Sequence, residues 1–300
     1  MRDGQAPSGA YVACPAFPTY GYAWLRDGSF VADAMSRSGE VGSAEAFLDW
    51  GARVATERHG LDLATRYRLD GSDDHSDWPQ RQWDGWGLYL WAVAAHCDRH
   101  GVDRARWADA CSLVVGFLET IWREPCTDWW EEREGLHATT LGCVAAGLGA
   151  WNLPTAEVLE ALDRANPRLD ASLLALAAPL EVRSVEQLPL AAIEQRLVSP
   201  GGGVHRHLDD TYYGGGEWLL LTAMLGLVRL RAGDADGARA CLDWVAAHAT
   251  PDGELPEQSQ DHLLARDRYD EWVARWGDPP SPLLWSHAMY LDLALAVDAS

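Results

Sequence analysis

The chain has 300 residues, 48% of them apolar, and its 24 basic residues, all arginine, stand against 45 acidic residues for a net charge of −21. This charge argues against nucleic acids and anionic membrane surfaces as partners and favours a neutral or cationic ligand. Apolar residues are spread evenly along the chain, which predicts one domain over 1–300.

Neither targeting nor metal-binding patterns stand out. The start, MRDGQAPSGAYVAC, lacks the basic and apolar regions of a signal peptide. No uncharged apolar run approaches the roughly 18 residues that span a bilayer. Six cysteines form no C-x-x-C pair, which predicts reduced, buried thiols. We therefore expect a cytoplasmic protein with no metal and no cofactor, and the sequence leaves its oligomeric state open.

Helical periodicity recurs while strand signals are nearly absent, which predicts an all-α protein. Segments such as 43–58 and 104–123 are amphipathic, whereas 82–99 and 216–232 are apolar nearly all round. This alternation predicts an inner ring of helices inside an outer ring. The eleven expected helices are 27–38, 43–58, 82–99, 104–123, 137–150, 155–165, 170–180, 185–197, 216–232, 235–249 and 283–298.

Polar, aromatic and glycine-rich loops lead into the apolar helices. Loops at one rim of a double ring converge on one funnel, where a ligand site is expected. Sixteen tryptophans against four phenylalanines provide flat faces suited to stacking on a sugar ring. The loops are PTYGYAWLRDGSF, DHSDWPQRQWDGWG, CTDWWEEREG, VHRHLDDTYYGGGEW and the segment from GELPEQSQ to GDPPSPLLW.

Two glutamates in these loops form a candidate pair for cleaving a glycosidic bond. Such cleavage needs a carboxylic acid to protonate the leaving oxygen and a carboxylate to activate water. Glu131 follows Trp130, and packing against indole favours the protonated form of a carboxyl group. Glu257 follows Pro256 in a different loop. In an inverting enzyme we expect the two carboxyl groups to lie about 6.5 to 9.5 Å apart in one funnel.

Other interpretations of single motifs remain open. A Glu-Glu pair is more often a solvated helix start, and a P-E-Q segment more often a surface turn. The HRHLDD segment, 205–210, has the spacing of an H-x-H metal site, but a polar loop is favoured because it leads into a glycine-rich turn. GSDDHSDW, 71–78, is expected to be a solvated loop rather than a calcium site.

Five motifs occur in the order found in glycoside hydrolase family 15, the glucoamylases, glucodextranases and isomaltose-cleaving enzymes, whose catalytic domain the chain resembles from about Gly9 to about Ala296. The resemblance implies an (α/α)6 barrel of six hairpins, here lacking the first outer helix and without an N-terminal β-sandwich domain. It also implies an inverting exo-hydrolase that releases β-glucose from short α-glucans such as isomaltose, isomalto-oligosaccharides or maltodextrins. The motifs are YGYAWLRDGSFVADAM, WDGWG, DWWEEREGLHATTLG, DTYYGGGEWLLLTAMLG and GELPEQ followed by SPLLWSHAMYLDLAL.

The same resemblance implies roles for particular residues. Glu131 is expected to be the general acid and Glu257 the general base. Arg26 and Asp27 resemble the clamp on the 4- and 6-hydroxyls of the terminal glucose, and Arg206 the substrate arginine. The other expected substrate-binding residues are Tyr22, Trp24, Trp83, Asp84, Trp130, Glu132, Arg133, Tyr212 and Trp218.

Two alternatives to this glucosidase remain. One is a non-catalytic or truncated carbohydrate-binding or regulatory domain on the same barrel, for which the lacking helix is the best support. The other is a trehalase of the same family. The presence of both Glu131 and Glu257 favours an enzyme, because a binding module has no need of the pair.

Overall fold

The computed structural model describes residues 1–58, 63–165 and 168–300. Within these ranges helices dominate, and the strands are six two-residue segments paired as three antiparallel ribbons. The all-α prediction is therefore confirmed. Across the described residues, no helix combines the length and the apolar character needed to cross a membrane.

Two compact units make up the chain. The first contains Met1–Ala13 and Gly21–Asn166, and the second contains Cys14–Tyr20 and Pro167–Ser300. The expectation of a single domain over 1–300 stays a prediction.

In the first unit, helices that are buried nearly all round alternate with helices that bury one face. The helices α1, α3 and α5 belong to the first kind, and α2, α4 and α6 to the second. α3 packs between α1 and α5. The helices are α1 (Leu25–Arg37), α2 (Val41–Glu57), α3 (Asp84–His100), α4 (Ala108–Ile121), α5 (Ala138–Ala150) and α6 (Ala156–Arg164).

Two ribbons of this unit fix the loops that enter α1 and α5. In the first, β1 (Ala23–Trp24) pairs with β2 (Arg66–Tyr67) immediately before α1. In the second, β3 (Cys126–Thr127) pairs with β4 (Glu134–Gly135), three residues before α5. Ahead of β1 the described residues form two short 3-10 turns, Arg2–Gly4 and Pro18–Tyr20.

The second unit is built around α8, which packs against α9 and α11. The ribbon of β5 and β6 joins the segment before α8 to the loop after α9. Short 3-10 turns occur at Ala171–Leu176, Val185–Gln187 and Tyr212–Gly214. The regular elements are α7 (Leu190–Arg196), β5 (Glu217–Trp218), α8 (Leu219–Arg231), α9 (Ala235–Ala247), β6 (Gln258–Ser259), α10 (Arg266–Trp276) and α11 (Leu284–Asp298).

Two helix predictions in the second unit were wrong, and one helix was missed. The segment 170–180 is only a 3-10 turn at Ala171–Leu176. The segment 185–197 is interrupted because Pro189 disfavours helical backbone at Leu188, which is extended, so that α7 begins at Leu190. Helix α10 was missed because it has no fully buried residue and many charges, so no apolar stripe marks it.

Close backbone approach between α3 and α5 depends on two glycines. A Cβ atom at Gly87 would lie 2.4 Å from the carbonyl oxygen of Cys143, and one at Gly147 would lie 2.3 Å from that of Gly87. Backbone atoms cannot move aside as a flexible side chain can. The two helices therefore pack at this distance only with glycine at both positions.

We predict that Gly87→Ala lowers the free energy of unfolding by about 1–3 kcal/mol, because the methyl group forces α3 away from α5. The matched control is Gly116→Ala in α4, where a Cβ atom would meet nothing within 4 Å. That change should raise stability by about 0.5–1 kcal/mol, since alanine is the better helix former. Urea unfolding of both variants provides the measurement. Equal effects of the two changes would contradict the close-packing argument.

Candidate active site

The side chain of Arg26 organises a buried acidic cluster in the first unit. Arg26 lies in the first turn of α1, and its guanidinium contacts three carboxylates, those of Asp27, Asp84 and Glu131. The nitrogen–oxygen distances are 3.3, 3.4 and 3.2 Å. Its Nη1 also donates to Oε1 of Gln82 at 2.9 Å. Arg26, Asp27 and Asp84 are all at least nine-tenths buried.

Burial perturbs the acids of this cluster. Loss of solvation raises the pKa of Asp27 to about 6, although the Arg26 charge pulls it down. The same cause raises the pKa of Asp84 to about 6, and the negative charge of Glu131 adds to both shifts. One guanidinium thus faces three acids and cannot neutralise them all. Clusters of this kind are typical of functional sites.

Glu131 stands at the tip of the β3–β4 hairpin. Its backbone has a φ of 63°, a left-handed conformation uncommon for glutamate. The turn is held by Asp128, whose carbonyl accepts the Glu131 N–H at 2.9 Å and whose Oδ1 accepts the Glu132 N–H at 2.8 Å. Gln82 in turn donates to the Asp128 carbonyl at 2.6 Å. The hairpin therefore holds the Glu131 side chain against Arg26.

Two indole N–H groups donate to the Glu131 carboxyl group. Trp24 donates to Oε1 at 2.8 Å and Trp78 donates to Oε2 at 2.6 Å. We had expected indole to pack against this carboxyl group and favour its protonated form. The contacts are instead hydrogen bonds from the polar edges of the two rings.

An aromatic wall borders this cluster, with Arg66 at its centre. The Arg66 guanidinium lies 4.1 Å from the ring centroid of Tyr22, 4.9 Å from that of Trp24 and 3.9 Å from that of Trp78. Its Nε donates to Oδ2 of Asp74 at 2.6 Å. Asp74 is buried, so the expectation of a solvated loop at 71–78 was wrong at this position.

Sequence reasoning missed Arg66, Trp78 and Gln82. Arg66 reaches the site because β2 pairs with β1, opposite Trp24. Trp78 and Gln82 lie in the polar, aromatic loop before α3, which was recognised as a loop near the site. Neither residue has a spacing that marks it out from the rest of that loop.

Four further residues of this unit were expected to bind substrate. Trp83 is buried with its ring edge-on to Phe117, and its Nε1 donates to the Glu124 carbonyl at 3.4 Å. Its environment is that of a core residue. The half-buried ring of Trp130 tilts against that of Trp129, with centroids 6.0 Å apart. The side chains of Glu132 and Arg133 are exposed on the β3–β4 hairpin.

In the second unit, Arg206 and Asp210 form a buried bidentate pair. Nε and Nη2 of Arg206 donate to the two Asp210 oxygens at 2.8 and 2.5 Å. Its guanidinium lies 5.3 Å from the ring centroid of Tyr212 and 4.9 Å from that of Trp218. The Tyr212 N–H donates to Oδ1 of Asp210 at 2.9 Å. These contacts bring together three of the expected substrate-binding residues, Arg206, Tyr212 and Trp218.

Glu257 is buried in the same unit, one residue before β6. Its backbone is fixed on both sides: its N–H donates to the Pro280 carbonyl at 2.9 Å, and its carbonyl accepts the Leu219 N–H at 3.3 Å. Burial raises the pKa of Tyr212 well above its ordinary value, and the negative charge of Glu257 adds to the shift. The Glu257 carboxylate is therefore close enough to Tyr212, beside the Arg206–Asp210 pair, to raise the pKa of its hydroxyl.

The H-x-H segment does not direct its two histidines to a common point. His205 is buried, with Nδ1 3.1 Å from the Gly215 carbonyl. Nδ1 of His207 lies 2.8 Å from Oδ1 of Asp209. The polar loop is thus tied to its own glycine-rich turn. A Cβ atom at Gly215 would lie 2.4 Å from the Asp210 carbonyl, which explains the glycine there.

The chain is similar to known glycoside hydrolases. The model of the family described as Glycosyl hydrolases family 15 matches residues 3–153. An isomaltose glucohydrolase of Kribbella flavida is 40% identical over 342 positions, which cover 97% of this chain and 88% of the relative. A solved structure of a wild-type glycosidase is 39% identical, with a TM-score of 0.92. The match covers 99% of this chain and 94% of the glycosidase chain.

A more distant structure shares the fold. A bacterial glucoamylase complexed with acarbose is 19% identical with a TM-score of 0.76, and the match covers 97% of this chain and 53% of the other. Sequence and fold thus define a glycoside hydrolase with the (α/α)6 barrel expected from the motifs. The chain belongs to glycosyl hydrolase family 15.

We predict that Asp84→Asn flattens the pH dependence of stability between about pH 4 and pH 6. Because the folded-state pKa of Asp84 is raised from 3.8 to about 6, the folded protein binds more protons than the unfolded chain in this range. The free energy of unfolding then falls as pH rises, and the asparagine variant loses that part of the slope.

Urea unfolding at several pH values measures this slope. The matched control is Asp109→Asn, which changes an exposed aspartate in the first turn of α4 and should leave the slope as in the parent. An Asp84→Asn protein with the parental slope would show that burial does not raise the pKa of Asp84 in the folded protein.

Proposed function

We propose that this chain is an inverting, exo-acting α-glucoside hydrolase that releases β-glucose from the non-reducing ends of short α-glucans. The observation that carries the proposal is the buried Arg26 cluster, which presents Glu131 and Asp27 together. Glu131 is the general acid and Glu257 the general base. Isomaltose and isomalto-oligosaccharides are the preferred substrates, with maltodextrins as the next class.

The Arg26 cluster supports a proton-donating role for Glu131. With three acids around one cation, a substrate that displaces water raises the cost of the excess negative charge. Uptake of one proton relieves this cost, and burial, which raises the pKa of Asp27 and Asp84, favours a proton within the cluster. Trp24 and Trp78 fix the position of the Glu131 side chain beside these two acids. As general acid, Glu131 gives its proton to the glycosidic oxygen as the bond breaks.

Asp27 supports recognition of the chain end. Its Oδ2 is buried and lies 3.3 Å from Nε of Arg26, and it has no hydrogen-bond partner among the residues that the structure describes. A buried carboxylate oxygen without a donor favours binding of a ligand hydroxyl. The hydroxyl that only a non-reducing terminal glucose offers is the 6-hydroxyl in an α-1,6-linked chain and the 4-hydroxyl in an α-1,4-linked chain. An Asp27 that accepts from this hydroxyl makes the enzyme exo-acting.

The fixed backbone of Glu257 supports its proposed role as general base. The carboxyl group follows Pro256, and the backbone is fixed by hydrogen bonds to Pro280 and Leu219. An activated water must be held on the face of the sugar opposite to the leaving oxygen. A side chain on a fixed backbone directs the water with little loss of entropy during the reaction.

The proposed substrate preference is supported by a relative. The Kribbella flavida protein, named as an isomaltose glucohydrolase, is 40% identical over nearly the whole chain. We therefore place the α-1,6 linkage first, ahead of α-1,4 and of the α,α-1,1 linkage of trehalose.

A panel of disaccharides followed by proton NMR tests this function. We expect kcat/KM for isomaltose to exceed that for maltose by at least about tenfold, a difference of roughly 1.4 kcal/mol. Isomaltotriose should yield glucose from its end, and the first glucose formed should be the β anomer. First release of the α anomer would indicate a retaining enzyme. A preference for trehalose would support the trehalase alternative, and no turnover at all the non-catalytic one.

We predict that Glu257→Gln abolishes turnover of isomaltose and of α-glucosyl fluoride while the protein still binds isomaltose. Glu131→Gln should lose about 10²–10⁴-fold in kcat on isomaltose but much less on the fluoride, whose departure needs no proton. The control is Glu119→Gln, an exposed position of α4. Equal losses for Glu131→Gln and Glu257→Gln on both substrates would contradict the assigned roles.

A further inference from the structure

A second group of titratable side chains lies in the second unit, outside the candidate active site. Glu217 of β5, His248 at the C-terminal end of α9 and Asp261 after β6 each offer a ligand atom within 4.8 Å of the others. We call these three residues the His248 cluster. Glu217 is fully buried, His248 is partly buried and Asp261 is exposed.

The tautomer of His248 is fixed by the backbone. Its ring stacks on Trp244 with centroids 3.8 Å apart, and its Nδ1–H donates to the Trp244 carbonyl at 2.7 Å. A neutral ring then carries its lone pair on Nε2, which lies 3.2 Å from Oδ2 of Asp261. Two lone pairs at this distance require either a second proton on the ring or a cation beside both atoms. Histidines that bind metals commonly donate their other N–H to a carbonyl in this way.

The Glu217 carboxylate provides a second, independent observation. Ser199 donates its hydroxyl to Oε1, and Nδ1 of His262 lies 3.1 Å from the same oxygen. The other oxygen, Oε2, is buried and has no hydrogen-bond partner among the described residues. The Glu217 side chain as a whole is only 1% exposed. A buried carboxylate oxygen of this kind carries a large desolvation cost unless a donor or a cation faces it.

We infer that the His248 cluster is a binding site for a divalent transition-metal ion, with Zn²⁺ as the best fit. One imidazole and two carboxylates are a donor set that suits zinc, whereas Ca²⁺ and Mg²⁺ prefer oxygen donors alone. In a tetrahedral site with bonds of about 2.0–2.1 Å, neighbouring ligand atoms lie about 3.3 Å apart. The separation of Nε2 of His248 and Oδ2 of Asp261 has this value.

The three ligands leave the fourth position of the ion to water. A cleft of about 390 Å³, lined in part by His248, Gln258, Ser259 and Asp261, adjoins the cluster and gives the ion access from solvent. The ion neutralises the two carboxylates and ties β5 and the end of α9 to the loop after β6. Since Glu257 immediately precedes β6, the ion also restrains the segment that carries Glu257.

Zinc titration of chelator-treated protein by calorimetry tests this inference. We expect one saturable site per chain. Asp261→Asn should weaken zinc binding at least about tenfold and His248→Ala at least about a hundredfold, because each change removes a direct ligand and loss of even an outer partner commonly weakens binding by about 10–100-fold. Because Asp261 is exposed, its variant remains folded even if the His248 variant does not. The matched control, His75→Ala, changes an exposed histidine of the first unit and should bind as the parent does.

Cobalt provides a readout of ligand type, since a tetrahedral Co²⁺ site with nitrogen and oxygen donors absorbs visible light without strong sulfur charge-transfer bands. The cobalt spectrum should appear in the parent and be lost in Asp261→Asn. The inference is overturned if the parent shows no saturable zinc site, if both cluster variants bind zinc as the parent does, or if cobalt reports thiolate ligands.

Discussion

The guanidinium of Arg26, buried among three carboxylates, is the interaction on which the candidate site depends. Breaking a buried ion pair by removing one partner leaves an uncompensated charge and costs about 3–5 kcal/mol, so each acid of the cluster relies on this one cation. The cation in turn sits at a fixed place because it belongs to the first turn of α1 and receives support from Gln82. Gln82 also binds the hairpin that carries Glu131. One amide thus couples the position of the cation to that of the proposed acid.

The helices of the chain were largely predictable because their apolar periodicity reflects burial. α8 and α11 are apolar over most of their length and were found close to their observed bounds. Helix prediction from the sequence failed where burial and helix formation do not occur together. α10 is helical without burying a whole side chain, whereas Ala171–Leu176 is wholly buried without forming an α-helix. Apolar periodicity indicates burial rather than helix formation. For this reason α10 was missed, and the segment around Ala171–Leu176 was predicted as a helix.

For the site, motif resemblance led to Arg26, Asp27 and Glu131, which the structure brings together in the first unit. It could not lead to Arg66 or Trp78, because their contribution arises from pairing between β1 and β2 and from ring stacking that no linear spacing records. The way in which indole meets Glu131 was also beyond the sequence. A tryptophan offers either an apolar face or a polar edge to a carboxyl group, and only the packing decides between them.

The three short ribbons fix the loops that carry the candidate site residues. Trp24 and Trp218 belong to paired strands, Glu131 lies at the tip of one ribbon, and Glu257 adjoins another. At least one of these loops also packs on a helix, since the buried ring of Trp129 in the β3–β4 hairpin tilts against that of Phe30 in α1 with centroids 6.2 Å apart. A change in the length of this hairpin would therefore disturb a helix contact together with the position of Glu131.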